Sequence, residues 1–185
     1  MRDPVDAARL RLVMEALARA AERALRVYLV GGTTAVAYGW RASTVDVDLV
    51  MRPEDPAVLR ALPALKERLR VNVELASPLD FVPVPAGWEA RSPLAARVGR
   101  VAFHHFDPYA QALAKVERGH RRDLDDVRAM VARGLVEPAR AHAYFAAMEP
   151  ELYRFPAVDP RSFRLAVEAA FPAGGSAGGP DPDAR

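Results

Sequence analysis

The sequence predicts an α+β fold with a helical C-terminal half. Helix and strand patterns alternate over residues 1–106, and only helical patterns follow over residues 107–171. With 185 residues, of which 51% are hydrophobic and 27% charged, the chain can bury a core without disulfides. We therefore expect a core over 1–106, a helical part over 107–171 packed on that core, and a disordered tail over 172–185, which is rich in Gly, Pro, Ala and Asp.

In the first part, each element follows from the period of its apolar residues. Asp6 is a candidate N-cap for the first helix, and Pro63 predicts a kink or break in the longest one. Gly99 separates two apolar runs that can form a hairpin. In chain order, the predicted elements are a helix over 6–25, a strand over 27–30, a short helix over 33–38 that ends at Gly39, a strand over 45–50, a helix over 54–69, a strand over 71–75, a loop over 80–88, and paired strands over 95–98 and 100–106.

The second part begins at Asp107 and Pro108, which provide N-cap and N1 signals for a helix. Three further helices are predicted over 120–133, 137–148 and 160–170. Tyr144, Phe145 and Met148 recur at helical spacing, which predicts core positions.

The composition excludes several classes of protein. The absence of cysteine excludes a disulfide scaffold, a Cys-based zinc site, an iron–sulfur cluster and a thiol nucleophile. The net charge of +2 permits nucleic-acid binding without arguing for it. The apolar runs, such as the one over 27–30, are far shorter than the roughly 20 residues of a membrane helix, and no apolar signal core follows Met1. We therefore expect a cytoplasmic protein without a membrane partner.

Two aspartates two residues apart are the most informative feature. Asp46 and Asp48 share one face of their predicted strand, and Val45, Val47 and Leu49 occupy the other. Two such carboxylates repel unless a cation lies between them, and a hard divalent cation such as Mg²⁺ suits their oxygens. The alternative is a half-exposed strand with two solvated aspartates, although Asp is depleted in strands.

Before these aspartates, Gly31 and Gly32 follow a strand and open a helix, where a phosphate can approach backbone N–H groups. All three threonines of the chain, Thr33, Thr34 and Thr44, lie in the same segment. Their hydroxyls can bind phosphate or cap the helix.

This segment resembles the nucleotidyltransferase signature of the polymerase-β-like superfamily, and most closely its minimal bacterial AbiEii/MenT-type toxin forms. The matching positions are Gly31, Gly32, Gly39, Arg41, Thr44, Asp46 and Asp48. The resemblance implies a small mixed β-sheet core with flanking helices. It also implies an NTP substrate contacted by Gly31, Gly32, Thr33, Arg41, Thr44 and Lys115, with Asp46 and Asp48 holding Mg²⁺ or Mn²⁺.

A second segment, over 115–127, resembles a conserved block of the same toxin-type families, which implies that Lys115 and Asp123 belong to the active site. Lys115 is one of two lysines in a chain that otherwise uses arginine, and its helix can direct it at a triphosphate. For Asp125 and Asp126 we favour a solvated helix face, with ion pairs to Arg121 and Arg122 at i, i+4.

Superfamily members that extend nucleic acids usually have a third carboxylate. Glu74 is the candidate here, because it alternates away from Val73 and Leu75, and Asp80 is the alternative. We interpret His104 and His105 as sheet residues rather than zinc ligands. Trp88 is expected to cover the sheet, with base stacking as a second possibility.

The function implied by the resemblance is transfer of a nucleoside monophosphate from an NTP to an RNA 3′ end, with tRNA the expected RNA. The setting it implies is the toxin of a toxin–antitoxin pair, with an antitoxin as partner. Two alternatives stay open, namely a non-catalytic nucleotide-binding protein of the same fold and an adenylyltransferase that modifies an antibiotic. The sequence does not indicate the preferred NTP or the oligomeric state.

Overall fold

The structure is a computed structural model that describes residues 2–172, so the predicted tail lies outside it beyond Pro172. The strands of this described part are β1 Leu25–Leu29, β2 Asp46–Arg52, β3 Asn72–Leu75, β4 Leu94–Val98 and β5 Val101–His105. Its α-helices are α1 Ala7–Ala20, α2 Gly31–Ala37, α3 Pro56–Leu69, α4 Pro108–Arg118, α5 Arg121–Ala132, α6 Pro138–Met148 and α7 Pro160–Ala170. Two 3₁₀ helices cover Pro78–Asp80 and Glu149–Arg154.

The strands form one mixed sheet in the order β3-β2-β1-β5-β4. β1 pairs antiparallel with β2, and β4 pairs antiparallel with β5 in the predicted hairpin. The β1–β5 and β2–β3 pairs are parallel, and α3 supplies the crossover between β2 and β3. The predicted α+β fold with a mixed sheet and a helical C-terminal half is therefore confirmed.

Two large apolar clusters and a smaller one hold the fold together. The first joins α1 and α3 to the sheet and includes Val13, Leu17 and Leu49. The second lies mainly among α4–α7 and includes the predicted core residues Phe145 and Met148. The smaller cluster, of Tyr28, Val30, Val50, Phe106 and Ala110, connects the sheet to the start of α4. Trp88 covers it as predicted, with its ring 4.4 Å from Phe106 and 4.8 Å from Tyr28.

Several element boundaries differ from the predictions. The Asp6 carboxylate caps α1 by accepting from Arg9 N at 2.8 Å, as expected, but the helix ends at Ala20 and Leu25 opens β1. α3 continues through Pro63 without a break. Pro63 lies on the exposed side of α3, where water can satisfy the carbonyl that loses its hydrogen bond.

Two apolar residues expected on the buried face of their strands are exposed instead. Val45, with 64% of its surface exposed, precedes β2, and Leu75, with 50% exposed, ends the edge strand β3. Val47 and Val73 do follow the predicted alternation, because both pack in the first apolar cluster. None of the helices between residues 2 and 172 combines the length and apolar character that a membrane crossing requires.

Candidate active site

The sheet topology brings three separate chain segments to one edge. Because β1 and β5 are parallel neighbours, α2 and α4 both begin beyond the same edge of the sheet. β2 runs antiparallel to β1, so its first residues lie at this edge too, where Val30 N donates to Asp48 O at 3.0 Å. Gln111 of α4 closes the arrangement, since its Oε1 accepts from Gly31 N at 2.9 Å. Residues far apart in sequence therefore meet here.

The carboxylates of β2 and β3 lie on one face of the sheet. The parallel register pairs Asp46 with Asn72 and Asp48 with Glu74. Asn72 Nδ2 donates to Asp46 Oδ1 at 2.9 Å and to Glu74 Oε1 at 2.6 Å, which holds both carboxylates beside Asp48. Glu74, the predicted third carboxylate, thus lies on the same sheet face as Asp46 and Asp48. Sequence reasoning missed Asn72, because its role depends on this register.

Asp80, the alternative third carboxylate, is engaged elsewhere. Its Oδ2 accepts from Ser77 N at 3.0 Å in a capping box of the first 3₁₀ helix. The carboxylate therefore satisfies a helix terminus, and Asp80 is not among the residues that line the cleft of the other carboxylates.

The Asp48 carboxylate is partly buried beside two other carboxylates. Burial raises its pKa to about 6, and the nearby Asp46 and Glu74 carboxylates add to the shift by repulsion. Gly31 lies against it with φ at +58°, and a β-carbon on Gly31 would lie 3.1 Å from Asp48 Oδ2. The backbone conformation thus favours glycine at position 31, and a β-carbon there would also crowd the Asp48 carboxylate.

These carboxylates line a cleft of about 650 Å³, which is a size suited to a small-molecule ligand. Its other walls come from the glycine turn, from the segment before β2, and from α4 and α5. The predicted site residues that line it are Gly31, Gly32, Arg41, Thr44, Asp46, Asp48, Glu74, Lys115 and Asp123.

Thr33 is the predicted nucleotide contact that the structure places elsewhere. It is fully buried, and its Oγ1 accepts from Asp48 N at 2.9 Å. The expectation that this hydroxyl faces the nucleotide needs correction, because the hydroxyl joins α2 to β2 inside the fold. Thr34 is likewise internal and donates to Leu29 O at 2.8 Å, whereas Thr44 lines the cleft.

Lys115 and Arg118 of α4 form a cationic wall with the acidic face of α5. Lys115 is only 5% exposed, and its Nζ donates to Asp126 Oδ2 at 2.6 Å and to Asp123 Oδ1 at 3.2 Å. Arg118 binds Asp123 through two hydrogen bonds of 2.6 and 2.8 Å. Burial alone would raise the pKa of Asp123, but Arg118 and Lys115 outweigh this effect and lower it. Asp123 is therefore ionised and positions both cations.

The interpretation of Asp126 as a solvated residue is wrong. Asp126 is 2% exposed, and it accepts from Arg41 Nε at 2.7 Å and from Trp40 Nε1 at 3.0 Å as well as from Lys115. Asp125 is exposed as expected but pairs with Arg128. The i, i+3 spacing of Asp123 and Asp126 was the available signal, since it places both on one helix face.

His104 and His105 lie in β5, as expected for sheet residues. His104 Nδ1 is 3.0 Å from Ser92 O, and the ring of His105 stacks on Tyr38 with centroids 3.8 Å apart. Burial lowers the pKa of His105 to about 4, so its ring is neutral at pH 7.

Comparison with known proteins identifies the family of this chain. A family model described as a nucleotidyltransferase of unknown function (DUF6036) matches residues 8–151. The chain belongs to this nucleotidyltransferase family. The match spans the glycine turn, the three carboxylates and the Lys115 network. Searches of curated proteins and of solved structures each found no match.

The oxygen donors in the cleft of this nucleotidyltransferase fit a divalent cation whose remaining ligands come from the substrate. Among residues 2–172, no three His, Cys, Asp or Glu side chains are arranged as a ready-made metal site. Asp46 and Asp48 nevertheless place hard oxygen donors in an open cleft, and their mutual repulsion favours a cation. Mg²⁺ typically binds through one or two carboxylates together with water and substrate phosphates.

Proposed function

We propose that this nucleotidyltransferase transfers a nucleoside monophosphate from an NTP to the 3′ hydroxyl of an RNA, with Mg²⁺ or Mn²⁺ bound by Asp46 and Asp48. The observation that carries the proposal is the set of three carboxylates on one sheet face beside the Gly31 turn. A bound divalent cation would neutralise charge on the triphosphate and on the attacking and leaving oxygens.

Other residues of the cleft would bind the phosphates, stabilise the leaving group and accept the proton. Gly31 and Gly32 bring backbone to the cleft wall, and the Thr44 and Arg41 side chains that lie against Gly32 would contact phosphate oxygens beside it. Lys115 and Arg118 face the charge that accumulates on the departing pyrophosphate. Glu74 accepts the proton of the acceptor hydroxyl. The hydroxyl oxygen then bonds to the α-phosphorus, and the bond between the α-phosphorus and the oxygen that bridges to the β-phosphate breaks, so that pyrophosphate leaves.

Support for an RNA acceptor comes from the resemblance to AbiEii/MenT-type toxins and from the charge on α5. Arg128 is paired with Asp125, whereas Arg121 and Arg122 form no ion pair within the described residues. Arg122 also lines the cleft. Two arginines without ion pairs in the described part of the chain, one of them at the cleft, suit a phosphate backbone, and they imply binding that weakens steeply with salt.

The experiment incubates the purified protein with each labelled NTP, Mg²⁺ and total RNA. We expect label at RNA 3′ ends, with no incorporation by Asp46→Asn or Asp48→Asn and normal incorporation by Asp125→Asn, which removes an exposed carboxylate. Label in protein or in a small molecule, and none in RNA, would refute the acceptor. Full activity of both variants in metal-buffered solution would refute the site.

A second experiment tests the RNA contact. Arg121→Gln with Arg122→Gln should raise the KM for RNA and reduce the slope of log K against log salt by about one to two. Arg128→Gln is the matched control, because Arg128 lies on the same helix in an ion pair. We also propose, from the resemblance alone, that overexpression slows growth by blocking translation and that an antitoxin relieves it.

A further inference from the structure

An exposed aromatic ring lies in the cleft without an assigned role. Phe81 follows the 3₁₀ helix Pro78–Asp80 and is 59% exposed, although it lines the same cleft as the carboxylates. Val45, Ala76 and Pro78 line the cleft with it, and Val45 is also largely exposed. These four residues are called the apolar wall below. Apolar surface that is exposed inside a cleft is typical of a ligand-binding groove.

The backbone that presents Phe81 is rigid. Ser77 Oγ accepts from Leu79 N at 3.1 Å, and the reciprocal contact to the Asp80 carboxylate completes a capping box. Phe81 N donates to Pro78 O at 3.1 Å, and the next residue, Val82, is fully buried. The backbone at Phe81 is therefore anchored on both sides, and little backbone entropy is lost when a ligand packs on the ring.

The apolar wall shares its cleft with the groups that suit phosphates. Gly31, Gly32, Arg41, Lys115 and Arg118 line the same space of about 650 Å³. A ligand that satisfies both sets must carry negative charge at one end and a flat apolar surface at the other. A nucleotide has this chemistry, whereas a phosphate ester of a sugar alone does not.

We propose that Phe81 stacks on the nucleobase of the bound NTP and thereby positions the α-phosphate beside Asp46 and Asp48. This inference rests on the proposed function and adds the base subsite to it. Every nucleobase has a π-face, so stacking on Phe81 discriminates little among the four NTPs. What it does distinguish is an NTP from a bare triphosphate.

The test measures equilibrium binding of ATP and of inorganic tripolyphosphate, each with Mg²⁺ and without acceptor. Loss of one stacked base contact corresponds to roughly 5- to 150-fold in affinity. Because one side of the ring faces water, we expect Phe81→Ala to weaken ATP binding about fivefold or somewhat more and to leave tripolyphosphate binding unchanged. Phe81→Trp should restore the affinity for ATP, and Phe81→Leu should restore it only in part.

The matched control is Tyr153→Ala, which removes an exposed aromatic ring that does not line the cleft. If Phe81→Ala weakened the binding of ATP and tripolyphosphate equally, or changed neither, the inference would be overturned. The proposed nucleotidyl transfer would not be affected by that result. A higher KM for RNA with unchanged ATP affinity would also overturn it, because the stacked base would then belong to the acceptor. Failure of the wild-type protein to bind any of the four NTPs would overturn this inference and the proposed function together.

Discussion

Replacing Asp126 by alanine tests how much one buried carboxylate, which binds Lys115 and Arg41, contributes to the stability of the protein. The carboxylate accepts from Lys115 Nζ at 2.6 Å, Arg41 Nε at 2.7 Å and Trp40 Nε1 at 3.0 Å. Without it, Lys115 keeps Asp123 at 3.2 Å as its carboxylate partner, and the Trp40 N–H loses its acceptor. Removing one partner of a buried ion pair costs about 3–5 kcal/mol. Because water can reach part of Arg41, we expect a loss near the lower value, about 3 kcal/mol.

The assay is urea unfolding at pH 7, with Asp125→Ala as the matched control. Asp125 is the neighbouring residue of the same helix but is exposed, so its replacement should change the free energy of unfolding by about 0.5 kcal/mol or less. The change in helix propensity is the same in both variants and cancels in the comparison. The free energy of unfolding of Asp126→Asn should lie between those of the two alanine variants, since an amide oxygen still accepts one hydrogen bond. A difference below about 1 kcal/mol between the two alanine variants would refute the reasoning.

Three further predictions concern the other walls of the cleft. The folded protein binds the Asp48 proton more tightly than the unfolded chain does, so stability falls as pH rises from 3.8 to about 6. In EDTA, Asp48→Asn should therefore have a higher Tm than wild type at pH 8 and a similar one at pH 4, and a lower Tm at pH 8 would contradict this. A β-carbon in Gly32→Ala would lie 2.3 Å from Thr44 Oγ1, so we expect about 1–3 kcal/mol of destabilisation that Thr44→Ala partly relieves. Lys115→Ala should weaken NTP binding far more than Lys66→Ala, and equal small effects in a titration would remove Lys115 from the site.

The sequence could predict the relative positions of those site residues that lie on neighbouring strands. The shared face of Asp46 and Asp48 follows from the two-residue period of a strand. Glu74 joins them because β3 is parallel to β2, which a strand–helix–strand order favours. A local pattern was sufficient for Asp46 and Asp48, whereas Glu74 also required the order of the elements.

Residues whose partners come from distant segments could not be predicted in this way. Asp126 lies among arginines in the sequence, which indicates a solvated face, yet two of its donors, Trp40 and Arg41, precede it by more than 80 residues. The Thr33 hydroxyl was assigned to a ligand because nothing in its own segment shows that Asp48 N would donate to it. Periodicity describes one element at a time, and these contacts depend on how elements dock.

The hydrogen bond between Gly31 N and the Gln111 amide joins residues that leave the ribosome far apart in time, and this affects when the cleft can assemble during synthesis. A chain that has left the ribosome through Glu74 already carries all three carboxylates, yet of the cleft-lining cations it has only Arg41. Lys115, Arg118 and the amide that fixes the glycine turn come at least 30 residues later. A nascent or truncated chain therefore lacks the assembled cleft, and the protein acquires it only when α4 and α5 have emerged and packed on the sheet.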